Sequence, residues 1–467
     1  MSIPALLFLA AFLAGCFFAF ARHPIYGLMT YVAVFFLNPP SRWWGQGLLS
    51  YGRWAVMAAF VTLLAVLLSR KLKPPHIPMP RHAAFVLYLL FTAWLMLQSA
   101  WAMDALEHRE LLSYYLKFVI VFFLVYRCID SDKHLVMVMW TFVAGCFYFG
   151  WIAWTTYEGG RFEGFGGPGT AEANAGALVC VTGVFTGSVL FLNSKSWRER
   201  AALIVMIPFI LNALVTTGSR SGFLALTVGG IVFNYFTPKQ HRKWVRRLSV
   251  IAVALFLSLA GGIFWSRMQT IEHAGADIEG VDTGGGRLEI IEAQWRMFKE
   301  YPLGCGATCT AVLSTQYIDA KFLTDSGMGG GPMVRASHNT FMTMLTEHGI
   351  PGATFYIMLL LWILSRVRRL GKAYQTEDHG MMAALLPGVA AVLLGITVGD
   401  MFVTHARLEV RIWFIGILMA MYNLMVARQQ AAVPVPAAAE PVPPAKPSRV
   451  QVARRGAPGQ AVPGRRR

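Results

Sequence analysis

The sequence predicts an all-α, polytopic transmembrane helical protein with about 12 spanning helices and one large periplasmic loop, and three observations carry that prediction. Of 467 residues, 56% are hydrophobic and only 14% charged, with mean hydropathy +0.51. A soluble domain carries roughly 25% charged residues. Apolar runs, most of about 16 to 22 residues, recur from end to end, each near the roughly 20 needed to cross a hydrocarbon core. The formal net charge of +17 sits in short clusters between those runs. That is the positive-inside pattern of an inner (cytoplasmic) membrane protein rather than a nucleic-acid-binding face.

In chain order the apolar runs are Ile3–Ala21, Pro24–Asn38, Trp54–Ser69, Ala83–Ala102, Leu111–Tyr126, Leu135–Trp154, Asn174–Leu192, Ala201–Thr217, Gly222–Phe236, Leu248–Trp265, Gly352–Leu364, Met381–Phe402 and Ile412–Met425. The first lacks a basic leader and a small-residue cleavage site, so it reads as a span and not as a cleaved signal. Basic clusters at Arg70-Lys71-Leu72-Lys73, Lys195 to Arg200, Lys239 to Arg247 and Arg366 to Lys372 agree in parity and are assigned to the cytoplasm. Arg161, Arg220 and the stretch 266–340 then fall on the periplasmic side. A cytoplasmic N-terminus requires that the short Pro24–Asn38 run not fully cross, which gives twelve spans from thirteen runs.

This divides the chain into N-terminal transmembrane helices (1–265), a large periplasmic loop with a polar segment at its end (266–348), C-terminal transmembrane helices (349–427) and a tail (428–467). The tail is rich in Pro and Ala, ends in Arg465-Arg466-Arg467, and is read as disordered and cytoplasmic, its cations against anionic lipid. Cys16, Cys128, Cys146 and Cys180 lie in or beside apolar runs and read as packing. Cys305 and Cys309 lie outside them, and their spacing is compatible with a bridge or with two free thiols.

The loop of roughly 70 residues is far longer than ordinary connections, and such loops are usually functional. Gly284-Gly285-Gly286 leads into a helix from Arg287 to Glu300 that Pro302 ends, with Leu288, Ile291, Trp295 and Phe298 on one face. Arg287 stands in the first turn, where the helix dipole disfavours a cation, so another interaction is expected to hold it. Further on, Ser337 or Asn339 is suited to cap a short helix that Gly349 ends and Pro351 follows. His338 therefore lands at a helix N-terminus, where the dipole disfavours imidazolium and leaves the ring able to accept a proton. Arg161, Arg220 and Arg287 share its side. Guanidinium binds phosphate oxygens bidentately, so three arginines with a neutral histidine suit a phosphorylated, anionic substrate.

His338-Asn339, the nine following residues and Gly349-Ile350-Pro351-Gly352 resemble the H-[NSQ]-x9-G-x-x-[GTY] motif of the O-antigen ligase and polymerase superfamily. Arg220-x-x-x-Leu224 resembles its R-x3-L motif, and Gly286-Arg287-Leu288 with Tyr301-Pro302-Leu303-Gly304 and Gly306 looks like its loop. The resemblance covers residues 155–425. It implies a glycosyltransferase without cofactor or metal that passes a glycan en bloc from undecaprenyl diphosphate to lipid A–core, the ligase branch being favoured. A polymerase, a protein O-oligosaccharyltransferase or a transporter of lipid-linked glycans is the alternative. By the same resemblance His338 is the general base, and Arg161, Arg220 and Arg287 hold the diphosphate.

Supporting roles are expected for Asn339, for Arg335 as an added cation, and for Asp400, which either orients His338 or pairs with an arginine. His348 reads as a helix-end residue. Asp130-Ser131-Asp132 has the form of a metal-dependent sugar-transferase motif but is assigned to the cytoplasm, and the acidic residues between Glu272 and Asp282 lack the spacing of a metal loop. The side assignments are checked by labelling intact cells with an impermeant thiol reagent. Ser326→Cys is expected to label before lysis, and labelling only after lysis overturns the topology.

Overall fold

Lipid offers backbone amides no hydrogen-bond partner, so a chain this apolar must close its own ladder within each segment. The computed structural model of the protein describes residues 2–262, 265, 286–319, 323, 334–376, 381–405 and 407–432. Residues 266–285 of the large loop, which hold its acidic stretch, residues 320–322 and 324–333, with Ser326, and the tail from residue 433 lie outside the described residues.

Among these, the chain forms α1 (Ile3–Ala21), α2 (Ile25–Leu37), α3 (Trp54–Leu68), α4 (Ala83–Gln98), α5 (Ala105–Cys128), α6 (Asp132–Thr156), α7 (Ala173–Asn193), α8 (Trp197–Thr216), α9 (Arg220–Phe236), α10 (Arg242–Leu259), α11 (Gly286–Glu300), α12 (Cys309–Tyr317), α13 (Thr340–Thr376), α14 (Met381–Gly399) and α15 (Glu409–Ala432), with no strand. Each of the thirteen apolar runs falls largely within one of these helices. Eight are long and apolar enough to cross a membrane by length and composition, and α3 and α4 are shorter apolar helices. The run at Pro24–Asn38 yields only 13 helical residues, about 20 Å against a hydrocarbon core of about 30 Å. The described residues up to Ala427 form one compact unit; a second begins at Arg428, of which 428–432 are described.

Helix position follows from which faces are apolar and which residues are small. The α7 helix is buried nearly all round, as a helix without a polar face must be when surrounded by others. On α1, Leu6, Leu7, Leu13 and Phe17 point outward, which suits a lipid-facing position. The closest pairing joins α9 to α14. A Cβ added at Gly229 would lie 3.2 Å from the Ala391 carbonyl, and one added at Gly395 would lie 3.2 Å from that of Ala225. Small residues admit such approach. The two contacts define an antiparallel register that puts the start of α9, Arg220, level with Asp400 just past the end of α14.

A second close approach fixes the turn inside α13. Gly349 interrupts that helix at φ +68°, and Gly304 faces it at φ +80°. A Cβ on Gly349 would stand 2.3 Å from the Leu303 carbonyl carbon. Ile350 N–H donates to Pro302 O at 3.0 Å and Gly306 N–H to Glu347 O at 2.9 Å. The carbonyls that a helix end leaves without partners are met by α4: Gln98 Nε2 donates to Glu347 O at 2.7 Å and Trp94 Nε1 to His348 O at 2.9 Å. His348 is buried, its Nδ1 2.9 Å from Gln98 Oε1, so it belongs to this clasp as the helix-end residue expected. Gly349→Ala forces an L residue into a left-handed conformation against backbone atoms and is expected to destabilise by about 2 kcal/mol or more. Gly230→Ala, where an added Cβ meets nothing within 4 Å, should leave thermal unfolding in detergent unchanged, and equal melting temperatures for the two variants would refute the clasp.

Candidate active site

The segment that carries His338 is extended backbone held on both sides. Asn339 Oδ1 accepts from Met342 N–H at 3.0 Å, so Asn339, and not Ser337, caps α13. Its Nδ2 donates to Met401 O at 3.1 Å. Thr340 N–H donates to Asp400 O at 2.7 Å, and Thr340 Oγ1 donates to Val403 O at 2.7 Å. On the other side Ser337 Oγ accepts from Gln294 Nε2 at 2.9 Å and from Thr343 Oγ1 at 2.8 Å, while Thr404 Oγ1 donates to Ser337 O at 2.9 Å. His338 is thus half-buried between two pinned residues. Arg335 N–H donates to Ser314 Oγ at 3.0 Å, which ties the approach to α12.

Asp400 is fully buried and its carboxylate is crowded with donors: Arg411 and Tyr356, and His405 Nδ1 at 3.0 Å. Burial pushes the Asp400 carboxyl up, but the Arg411 charge and the His405 hydrogen bond prevail and hold it below the usual carboxylate range. Of the two roles expected for Asp400, the pairing with an arginine is the one these contacts describe. The arginine is Arg411, inside α15, which the sequence reading passed over because it stands at the edge of an apolar run. Its link to the His338 segment runs through the backbone, Asp400 O to Thr340 N–H.

The arginines sit as follows. Ser219 caps α9, its Oγ accepting from Gly222 N–H at 3.1 Å and donating to Asn174 Oδ1 at 2.7 Å, which sets Arg220 at the first helical position. Arg161 follows two glycines at positive φ in the link between α6 and α7; its Nε lies 3.6 Å from Glu163 Oε1. Phe162 N–H donates to Thr216 O at 3.0 Å, which brings that link to the end of α8 four residues before Arg220. Since Arg220 is level with Asp400, the Arg161 link, Arg220 and the His338 segment share one end of the bundle. Arg287 lies in the first turn of α11, and its side chain is outside the described residues.

The expected face of α11 needs correcting. Leu288 and Trp295 are 75% and 47% exposed, whereas Ile290, Ala293, Gln294 and Met297 are buried. The helix turns inward the stripe on which Ile290, Ala293 and Met297 pack against Cys305, Cys309 and Leu313 and Gln294 meets Ser337. Cys305 and Cys309 are bonded to each other, with Cα atoms 5.7 Å apart, and are buried. The spacing alone left that open.

At the other end of α5, which starts beside the Thr308 turn and runs 24 residues, His23, Asp130 and His134 bring ligand-type atoms within 4.8 Å of one another. Hydrogen bonds account for this cluster. His23 Nδ1 accepts from Ile25 N–H at 3.1 Å, so its Nε2 carries the proton that faces Asp130 Oδ2 at 3.2 Å, and His134 Nδ1 lies 2.6 Å from Oδ1. A metal at Nε2 would require the opposite tautomer. Burial pushes the Asp130 carboxyl up, and these bonds with one from Lys73 N–H override it and hold it low.

Helices of this length around a buried core, with a polar end built from an interrupted helix and a loop helix, define a polytopic helical membrane protein. Residues 201–357 match the family described as O-antigen ligase. That stretch contains Arg220, Arg287, Arg335, His338, Asn339 and the Gly349 turn, leaves Arg161 and Asp400 outside, and supports a relationship to the O-antigen ligase and polymerase superfamily. No curated protein matches the chain.

Removing one member of a buried ion pair leaves the other charge uncompensated, typically at about 3–5 kcal/mol. Arg411→Leu is expected to destabilise the fold by about that much, and Asp400→Leu with Arg411→Leu by less than the single change. Thermal unfolding of detergent-solubilised variants checks this; a double variant at least as unstable as the sum of the singles refutes it.

Proposed function

We propose that the protein is an inner-membrane glycosyltransferase of ligase type that transfers a glycan en bloc from undecaprenyl diphosphate to lipid A–core at the periplasmic face. The observation that carries this reading is that the His338 segment, Arg220 and the Arg161 link share one end of the bundle, in a chain whose residues 201–357 match the O-antigen ligase family. The Cys305–Cys309 bond supports the periplasmic side, since disulfides persist in oxidising compartments.

In this mechanism Arg161, Arg220 and Arg287 hold the donor diphosphate. Nε2 or Nδ1 of His338 takes the proton of the acceptor hydroxyl as its oxygen attacks the anomeric carbon. The bond from that carbon to the diphosphate oxygen breaks, the configuration inverts, and undecaprenyl diphosphate leaves with the electron pair. Arginine stabilises the growing charge on the leaving group, which lowers the barrier only in so far as the contact strengthens in the transition state. Neither step calls on a cofactor or a metal. Asn339 supports the base by capping its helix, and Arg335 adds positive charge beside it.

A base and a diphosphate clamp fail differently. His338→Ala should lower turnover by roughly 10²–10⁴ with donor affinity little changed. Arg220→Ala and Arg287→Ala should weaken donor binding and turnover together, and lysine should rescue them poorly because a point charge lacks the planar fork. The assay is purified protein with undecaprenyl-diphosphate-linked glycan and lipid A–core in the presence of EDTA, scored for joined product and, separately, for donor binding. Near-normal turnover in His338→Ala, or complete loss with EDTA and recovery with Mg²⁺, overturns the mechanism. Extension of the lipid-linked glycan in place of transfer to lipid A–core identifies a polymerase instead.

A further inference from the structure

Gln294 is a fully buried amide on a loop helix, and its neighbours are unusually specific for a residue outside the motifs. Its Nε2 donates to Ser337 Oγ at 2.9 Å. Its backbone carbonyl accepts from Thr346 Oγ1 at 3.3 Å, two turns further along the helix that follows His338. Ser337 Oγ is at the same time the acceptor for Thr343 Oγ1 at 2.8 Å and for Asn339 N–H at 3.3 Å. Thr343 Oγ1 in turn meets Thr404 Oγ1 at 3.1 Å, and Thr404 donates to Ser337 O at 2.9 Å. The loop helix, the start of α13 and the link at Thr404 therefore close on Ser337, through its hydroxyl and its carbonyl, and the next residue is His338.

A serine oxygen has two lone pairs and one proton. Three donors share those two lone pairs, and of them the Gln294 amide is the one that joins the serine to the loop helix. Without that amide the hydroxyl keeps its partners within 337–343 and 404, but α11 loses its side-chain hydrogen bond to the segment. Arg287 occupies a backbone position two turns before Gln294 on the same helix, roughly 10 Å along its axis.

We propose that Gln294 is a positioning residue: by bonding Ser337 it sets the backbone that presents His338 and makes the Arg287 helix and the proposed base one rigid body. This rests on His338 acting as the base. The consequence is that the distance between the diphosphate clamp and the proton acceptor is held by a buried hydrogen bond between the loop helix and the membrane helix, not by the loop's sequence ends. Misplacing a reacting group by about 1 Å costs on the order of a hundredfold in rate, so the bond matters to turnover far more than to binding.

Two measurements test this. In the transfer assay with undecaprenyl-diphosphate-linked glycan and lipid A–core, Gln294→Met, which keeps the volume and removes the amide, should lower kcat by roughly ten- to a hundredfold with donor KM changed less than about twofold. Ser337→Ala, which removes that bond together with the hydroxyl's contacts to Thr343 and Asn339, should lower kcat at least as much, and the double variant should be no worse than Ser337→Ala, because both changes remove the Gln294–Ser337 bond. Amide hydrogen exchange on the full-length protein provides a readout free of substrate. Gln294→Met should raise exchange across 335–343 by about tenfold or more while leaving α14 unchanged. Unchanged exchange at 335–343, or multiplicative losses in the double variant, overturns the proposal. If His338→Ala retains turnover, the base assignment falls. If His338→Ala is inactive while Gln294→Met turns over normally, the base stands and the positioning role falls.

Discussion

The Asp400 carboxylate is buried at the junction of α13, α14 and α15, and the polar end of the molecule is arranged around keeping it satisfied. An ionised carboxylate out of water is tolerated only when paired and hydrogen-bonded. Arg411 comes to it from α15, Tyr356 from α13, and His405 from the link between α14 and α15. Each partner is on a different element, so the charge dictates how the three approach one another. The same residue's carbonyl receives Thr340 N–H, which sets the height at which α13 starts and, one residue before its cap, the position of His338.

Around this point the chain uses two kinds of contact that demand close approach. Glycines at 229 and 395 let α9 and α14 lie backbone to carbonyl, which brings Arg220 to the level of Asp400. Glycines at 304 and 349, both at positive φ, let the loop turn press into the break in α13. A side chain at 304 or 349 would run into backbone at 2.5 Å or less, and one at 229 or 395 would force the helices to give by a few tenths of an ångström. The polar end is thus a product of tight packing of apolar helices below it. Its rigidity is what the transfer proposed above needs, because the reacting groups must be preset rather than gathered by the ligand.

The Gly349 turn also shows how a buried helix end is completed. Gln98, Trp94 and Trp101 on or beside α4 donate to carbonyls of Glu347, His348 and Gly304. In water those carbonyls would be solvated; here side chains from a neighbouring helix take that part. The bond from Gln294 to Ser337 applies the same device on the loop side of His338. Amide and indole donors from elements distant in sequence thus hold the Gly349 turn, and an amide donor holds Ser337 beside His338, while Arg220 and Arg287 stand at helix starts and Arg161 in a link.

Much of this was legible along the chain. Apolar runs located the thirteen helical segments, because burying the backbone in lipid leaves helix as the local answer whatever the neighbours do. Local chemistry likewise placed the break at Gly349 and the end of α11 before Pro302 and narrowed the cap of α13 to Ser337 or Asn339, since each depends on a few adjacent residues. Which face of α11 turns inward, that Asp400 pairs with Arg411, that Gln294 reaches Ser337, and that Cys305 bonds Cys309 were decided only by the tertiary structure. Leu288 and Trp295 carry more apolar surface than Ala293 and Gln294, so hydropathy favoured the wrong stripe. The fold chose the stripe whose Ile290, Ala293 and Met297 fit the disulfide-bonded turn and α12 and whose Gln294 reaches a serine 43 positions away. Spacing within a helix is a local property, whereas the partner of a buried polar group is set by how distant segments pack.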